Sequence, residues 1–247
     1  MAITTFDLKL ISTQQITPNV KHLTFTRADG QRQEFIPGQF INLYFEKEGK
    51  RHSRSYSIAT IPGQTEHLEI AISHVAGGLA SENLAQLQVG DTILAAGPVG
   101  RLVLKAEEQP KHYILVGTGT GIAPYRAMLP SLKQRLEDDP DLRVSILLGV
   151  REVSELLYVQ DFLAFCSQSD RSQFFACLSQ EISASPPEWE CGGRVTHVLK
   201  ELTPNPSHDI VYLCGNPAMI DDAYEILQMA GFDHKNVRRE KYVFSNS

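Results

Sequence analysis

The sequence predicts two domains, an N-terminal antiparallel β-barrel followed by an α/β domain with a doubly wound parallel sheet. Three observations carry this. From Phe6 to Leu104, apolar residues recur at alternate positions in short runs that turn formers interrupt. After about residue 110, strand-like and helix-like segments alternate instead. At the start of that second rhythm, Tyr113–Met128 reads as strand, glycine loop and helix. The expected domains are residues 1–105 and 106–247, with Ala106 to Lys111 as the link. A chain of 247 residues can bury two ordinary cores.

In the first half, Leu8 and Leu10, Leu23 and Phe25, and Leu68, Ile70 and Ile72 mark half-buried strands by their period of two. Asp29-Gly30, Pro37-Gly38, Glu48-Gly49, Pro62-Gly63 and Gly97-Pro98 read as the turns between such strands. One brief helix is expected over 81–87, with Leu84 and Leu87 inward. The stretch before it, Gly77-Gly78-Leu79-Ala80-Ser81, reads either as a phosphate-binding helix start or as a glycine turn with a serine N-cap. In Arg51 to Ile58, strand alternation places Arg54, Tyr56 and His52 on one face and Ser55 and Ser57 on the other. An arginine two residues from an aromatic ring can hold a phosphate together with a flat ring system. A solvated edge strand with a surface cation-π pair is the alternative.

In the second half, the run before Gly117 is a short buried strand, and a helix is expected from Pro124, whose missing N–H suits a first turn. Ala123, Met128, Leu129, Leu132 and Leu136 form its buried stripe. Gly117, Gly119 and Gly121, with Thr118 and Thr120 between them, leave out the Cβ atoms that would keep a phosphate from the backbone N–H groups. Ile122 departs from the usual Gly-x-Gly-x-x-Gly dinucleotide fingerprint, and a tight packing turn remains the other reading. Strands follow at 144–148, 174–178 and 210–214, with helices around 160, 197 and 222. Asn216-Pro217 supplies an N-cap and first-turn proline, and Gly231 a stop. Cys214 then ends a strand at the edge where parallel sheets bind ligands, although a bare cysteine there is commonly just a small apolar residue. Residues 237–247 read as an amphipathic edge strand with a polar tail.

Six stretches in order, Pro37-Gly38-Gln39-Phe40, Arg54-Ser55-Tyr56-Ser57, Gly78-Leu79-Ala80-Ser81, Gly97-Pro98-Val99-Gly100, Gly117 to Pro124 and Cys214-Gly215-Asn216-Pro217, resemble the motifs of the ferredoxin-NADP reductase family, of bacterial type. The resemblance spans nearly the whole chain. It implies that Arg54 binds FAD phosphates, that Tyr56 stacks on the isoalloxazine, and that Ser57 hydrogen-bonds near flavin N5. It further implies that Ser55 belongs to the same motif and that Gly77, Gly78, Leu79, Ala80 and Ser81 hold the pyrophosphate. Gly117 to Gly121 and Pro124 would bind NAD(P), with Cys214, Gly215, Asn216 and Pro217 beside the nicotinamide. Glu240 and Tyr242 resemble the carboxylate and aromatic that approach the flavin, and Phe244 competes with Tyr242 for that position. Ser57, Cys214 and Glu240 are thus the implied catalytic residues. Arg151, Ser179 and Arg194 occupy positions that in the family read the 2'-phosphate of NADP. Gln180 stands where the family often has arginine, so NADPH is expected over NADH with one charged contact fewer. The implied reaction is reversible hydride transfer between nicotinamide C4 and flavin N5, with electrons passed to ferredoxin or flavodoxin. The alternatives are the reductase component of an oxygenase and a nucleotide-binding module without turnover.

Composition sets the outer bounds. A formal net charge of −6 argues against nucleic acid as a bulk partner. Cys166, Cys177, Cys191 and Cys214 lack metal or iron-sulfur spacing, so no metal is expected. With no apolar run near membrane-spanning length, the expected location is cytoplasmic. A monomer is the expected state. Lys47, Lys50 and Arg51, together with Arg238, Arg239 and Lys241, read either as a docking face for an acidic partner or as ordinary solvated cations.

Overall fold

The structure, a computed structural model, describes residues 4–242. It falls into two compact units. The first runs to Val103 and takes in Ala123–Met128; the second comprises Leu104–Ile122 and the described residues from Leu129 to Tyr242.

In the first unit, β1 (Thr5–Thr17), β2 (Val20–Arg27), β3 (Phe40–Lys47), β4 (Lys50–Ser57), β5 (Leu68–Ser73) and β6 (Thr92–Val99) form one antiparallel sheet in the order β4-β3-β6-β1-β2-β5. A single bridge from Ile58, just past β4, to Ile70 of β5 joins the two outer strands, which curls the sheet into the expected barrel. The alternation holds. Leu8, Leu10, Leu23, Phe25, Leu68, Ile70 and Ile72 all lie in one buried cluster. Gly97-Pro98 is not a turn between strands, because it lies inside β6 with a cis peptide. Pro98 is tolerated there because β1 pairs only as far as Ala96, so no neighbour asks for its missing N–H on that side. The short helix α1 (Leu79–Gln86) starts two residues earlier than the sequence suggests.

The second unit holds β7 (His112–Thr118), β8 (Arg143–Val150), β9 (Ser172–Leu178), β10 (Glu190–Gly192), β11 (Asp209–Gly215) and β12 (Val237–Lys241). Every pairing is parallel, in the order β10-β9-β8-β7-β11-β12. Helices α2 (Ala123–Asp138), α3 (Val159–Cys166), α4 (Val195–Glu201) and α5 (Pro217–Met229) make the crossovers. They cover both faces. Phe162 of α3 stacks on Phe174 at 5.3 Å, whereas its neighbour Phe175 packs on the opposite side, with the cluster that receives Val198 of α4 and Ile220 of α5. Three-residue β10 carries too short an apolar signal to have been expected. A 3-10 turn over Gly119–Ile122 precedes α2, which begins at Ala123, so Pro124 takes its second position rather than its first. Among the described residues, no helix is long and apolar enough to cross a membrane.

Candidate functional site

On β4 the residues sort by face as alternation requires. Tyr56 lies opposite Ile41 and Arg54 opposite Leu43, so both share the side of β3's core residues; Tyr56 packs on the barrel cluster, half-buried. Burial pushes its hydroxyl pKa well up, with Arg54 opposing the shift, so the ring is a neutral aromatic surface at any working pH. Arg54 donates to the Ser53 carbonyl at 2.8 Å, and among the described residues no carboxylate pairs with it. That leaves most of its guanidinium fork for an anion. Ser55 points the other way and donates to Asn42 Oδ1 at 2.7 Å, while Ser57 is buried.

The start of α1 departs from the serine-N-cap reading of its sequence. Gly78, not Ser81, is the N-cap, and no side chain caps the helix. The Ser81 hydroxyl turns back to donate to the Val75 carbonyl at 2.9 Å and accepts from the Val75 N–H at 3.1 Å. A Cβ on Gly78 would come within 2.9 Å of both Ser81 Oγ and the Val75 carbonyl, so this glycine is required by the turn. Gly77 (φ +72) gives its N–H to Glu82 Oε1 at 3.0 Å. An anion at this helix start would therefore meet the Glu82 carboxylate, a neighbour that the glycine pattern did not announce. Leu79 and Ala80 open the helix, and Ala80 is buried under it.

The sheet order reverses between β7 and β11, and this is where open α/β sheets form a crevice at their carboxyl ends. Gly117–Gly121 leaves one of these strands, and Cys214–Pro217 leaves the other. The three loop glycines do different work. A Cβ on Gly117 would approach the Gly121 carbonyl at 2.9 Å, and one on Gly121 would strike the Cys214 carbonyl at 2.4 Å. These two are needed for packing, which is the alternative reading of the loop. Gly119 alone combines positive φ (+52) with open space where its Cβ would be. Gly215 (φ +116) lets the second loop close on Thr118, whose hydroxyl accepts the Asn216 N–H at 2.9 Å. Asn216 caps α5 by accepting from the Ala218 and Met219 N–H groups, and Pro217 follows as expected. Helix α2 has no such cap: its N-cap residue is Ile122, which makes no side-chain capping hydrogen bond. The open backbone at Gly119 and this uncapped N-terminus fit a dinucleotide phosphate.

At the ends of β8 and β9, Arg151 sits beside Ser179 and Gln180, tied by Gln180 N–H to the Arg151 carbonyl (2.8 Å) and Ser179 N–H to the Val150 carbonyl (3.1 Å). Arg151 is already engaged. Its Nε and Nη2 donate to Glu155 Oε1 at 3.0 and 2.5 Å, and its backbone N–H donates to Oε2 at 2.9 Å. The Arg151 side chain is 63% exposed, whereas that of Glu155 is 18% exposed and lies in the 3-10 turn that follows β8. Arg194, the N-cap residue of α4, lies 3.9 Å from the Asp222 carboxylate, with both side chains largely in solvent. Sequence reading named both arginines but missed Glu155, whose spacing from Arg151 is legible only once the turn is known.

Cys214 is fully buried at the end of β11, directly beside Glu240 of β12 in the parallel register. Burial pushes its thiol pKa far up, the Glu240 charge adds to the rise, and a hydrogen bond with the Tyr242 side chain offsets part of it. The thiol is therefore protonated, a fixed small group rather than a nucleophile. Tyr242 N–H donates to the Gly215 carbonyl at 2.8 Å, which keeps Glu240, Tyr242 and Cys214 together. Phe244, the other aromatic considered from sequence, lies outside the described residues. The expected basic group at this end is not free for docking. Arg238 pairs with Glu108, Lys241 with Asp221 at 2.6 Å, and Arg239 lies over the Tyr224 ring at 3.7 Å.

A barrel with an arginine that pairs with no carboxylate among the described residues beside an aromatic, joined in sequence to a doubly wound sheet with a helix lacking a side-chain cap at its switch point, defines a flavin- and nicotinamide-nucleotide-dependent oxidoreductase. Comparison with known proteins agrees. Residues 7–104 match the family described as oxidoreductase FAD-binding domain, and residues 115–225 match the oxidoreductase NAD-binding domain. The chain is 31% identical to ferredoxin–NADP reductase B of Sorangium cellulosum, with 96% of this chain and 97% of that protein aligned. It is 27% identical to the toluate 1,2-dioxygenase electron transfer component of Pseudomonas putida over 97% of this chain and 68% of that protein. A ferredoxin NADP+ reductase from Neisseria gonorrhoeae, solved with bound FAD and NADP, superposes with a TM-score of 0.82 at 24% identity, covering 97% of this chain and 99% of that one. The chain belongs to the ferredoxin-NADP reductase family of FAD- and NAD(P)-binding oxidoreductases.

Proposed function

We propose that the protein is a cytoplasmic, monomeric NADPH-dependent reductase that passes electrons between NADPH and an acidic one-electron carrier, a ferredoxin or a flavodoxin. FAD and the nicotinamide supply the redox chemistry when bound, a hydride moving between nicotinamide C4 and flavin N5. The chain's residues bind and orient. Arg54 takes the FAD phosphates, with Gly77–Ser81 for the pyrophosphate; Tyr56 offers its neutral ring to the isoalloxazine, and Ser57 a hydroxyl near N5. Gly119 and the start of α2 take the nicotinamide dinucleotide phosphates, with Thr118, Asn216 and Pro217 shaping the opposite lip. The buried Cys214 sets the floor beneath the nicotinamide, and Glu240 and Tyr242 hold that floor in place. Arg151, Ser179 and Arg194 take the 2'-phosphate. The observation that carries this reading is the uncapped start of α2 beside Gly119, at the point where the parallel sheet reverses its order.

Two named relatives are ferredoxin–NADP reductases, which supports NADPH over NADH. The oxygenase reductase components among the relatives keep a second acceptor class in view. For docking, the exposed β3–β4 hairpin with Lys47, Lys50 and Arg51 is the better candidate, since among the described residues no carboxylate pairs with these three.

The test is an anaerobic visible titration of the FAD-loaded protein with NADPH and with NADH. Bleaching of the flavin bands at much lower NADPH than NADH is expected. Equal titration by both nucleotides would overturn the NADPH preference, and a protein that takes up no FAD would overturn the assignment of Arg54 and Tyr56.

A further inference from the structure

Two cysteines outside the proposed chemistry face each other at the outer edge of the parallel sheet. β9 and β10 pair in the register Ala176↔Glu190, Cys177↔Cys191 and Leu178↔Gly192, so the two thiols project from the same face. Their sulfur atoms are 3.4 Å apart, with Cys191 donating to Cys177. Cys177 is buried in the cluster formed with Val195, Val198 and Leu199, and Cys191 lies partly exposed at the margin of that cluster. Neighbouring strands bring Cα atoms to about 4.8 Å, inside the span of roughly 4.4–6.8 Å that a disulfide requires. The remaining cysteines are placed elsewhere, Cys166 at the end of α3 and Cys214 on β11, three strands away from β9.

We infer that Cys177 and Cys191 form an oxidisable dithiol, a site at which hydrogen peroxide closes a disulfide between β9 and β10. Cys191, the more exposed thiol, loses its proton and attacks peroxide; its sulfur gains one oxygen as a sulfenic acid and the other oxygen leaves as water. The sulfur of Cys177 then attacks that of Cys191, the S–O bond breaks, and a second water departs. Two thiols and one peroxide give one disulfide and two waters, with two electrons passing from sulfur to peroxide. Burial raises the pKa of both thiols, so the site responds slowly, to sustained peroxide rather than to traces.

The disulfide would act on the loops that leave these strands. Ser179 and Gln180 follow Cys177 by two and three residues, Arg194 follows Cys191 by three, and the Gly193 N–H already ties the loops through the Leu178 carbonyl at 2.8 Å. This consequence rests on the proposed 2'-phosphate role of Ser179 and Arg194. On that reading, closing the bridge raises KM for NADPH by about fivefold, a typical coupling between sites, with kcat nearly unchanged.

The experiment uses the full-length, FAD-loaded protein exposed to a graded excess of hydrogen peroxide, then alkylated under denaturing conditions and mapped by mass. Alkylatable cysteines should fall from the four present to two, with Cys177 and Cys191 peptides joined and dithiothreitol restoring both. Cys191→Ser should abolish the cross-link. Since Cys177→Ser alters the core, phenylarsine oxide provides an independent measure: it bridges paired thiols and should bind the wild type one to one and Cys191→Ser not at all. Oxidation of Cys191 to a sulfinic acid with Cys177 still free, a cross-link through Cys166 or Cys214, or failure to bind the arsenical would each overturn the site. A disulfide that forms without changing KM for NADPH would overturn the coupling and the 2'-phosphate placement while leaving the dithiol intact.

Discussion

Arg54 and Arg151 carry the same charge into different surroundings. Arg54 has only a backbone carbonyl as its described partner, whereas Arg151 gives three donors to Glu155. A 2'-phosphate arriving at Arg151 must therefore compete with a fixed carboxylate, and charge-assisted hydrogen bonds are strong. Glu155→Gln should raise the preference for NADPH over NADH by about tenfold, since one such contact is worth on the order of 1.5–3 kcal/mol. Comparing kcat/KM for the two nucleotides checks this, and an unchanged ratio would show that Arg151 does not meet the phosphate. Tyr56 and Cys214 form a second pair. Tyr56 is an aromatic surface on the barrel, and Cys214 a buried thiol in the other unit. Tyr56→Ala should lose FAD during gel filtration to a greater extent than Cys214→Ala. Equal retention by both purified variants counts against the flavin role of Tyr56.

At the scale of elements, the glycine loop after β7 separates packing from binding. Gly121→Ala would place a methyl 2.4 Å from the Cys214 carbonyl, where only movement of β11's end can relieve it. A loss of roughly 1–3 kcal/mol in urea unfolding is expected, as for other overpacked sites. Gly119→Ala meets no neighbour, so its cost is only the left-handed backbone, about 1 kcal/mol. Its larger effect should be on nucleotide affinity, because the added methyl fills space left open over the uncapped helix. A nucleotide KM unchanged in Gly119→Ala would remove this loop from the site. Elements were mostly legible because their signals are local: the alternation of Leu8 to Ile72, the stripe from Ala123 to Leu136, and the Asn216-Pro217 start of α5 are each carried by adjacent residues. α1 was misplaced by two residues because Ser81, a good N-cap by type, spends its hydroxyl on Val75 instead. Gly97-Pro98 looked like a turn because nothing local says that β1 stops pairing before it.

At the scale of the whole molecule, the amino ends of the parallel strands carry a buried polar line. His112 bonds Ser145 Oγ at 2.7 Å, Gln173 donates to the same oxygen at 2.8 Å, and Asp209 lies opposite His112 across the β7–β11 register. Burial lowers the His112 pKa to about 4; Asp209 opposes the shift and Arg143 adds to it. A histidine whose folded pKa is depressed stays neutral in the fold while the unfolded chain takes up a proton. Its contribution is intact above the unfolded value of 6.5 and is lost as pH falls through the interval down to about 4. The loss, at most roughly 3 kcal/mol, should appear as a falling urea midpoint between pH 7 and pH 4. His112→Gln should flatten that slope, and an equally steep slope in the variant would place the acid sensitivity elsewhere. A further expectation concerns association. If the Lys47, Lys50 and Arg51 hairpin docks an acidic carrier, added salt should slow reduction of ferredoxin by the purified protein while leaving reduction of a small neutral dye unchanged.

The sequence by itself determined the two-part architecture and the order of most elements, because periodicity, turn chemistry and helix starts act over a few adjacent residues. Only the tertiary structure decided which of those residues are free to act. Glu155 closing on Arg151, Glu82 on the Gly77 N–H, Gly121 reserved for the Cys214 carbonyl, and Cys177 set against Cys191 all depend on the register and loop paths that bring them together. Hydrogen bonding and steric exclusion operate over a few ångströms, and sequence spacing does not measure that distance between separate strands and turns.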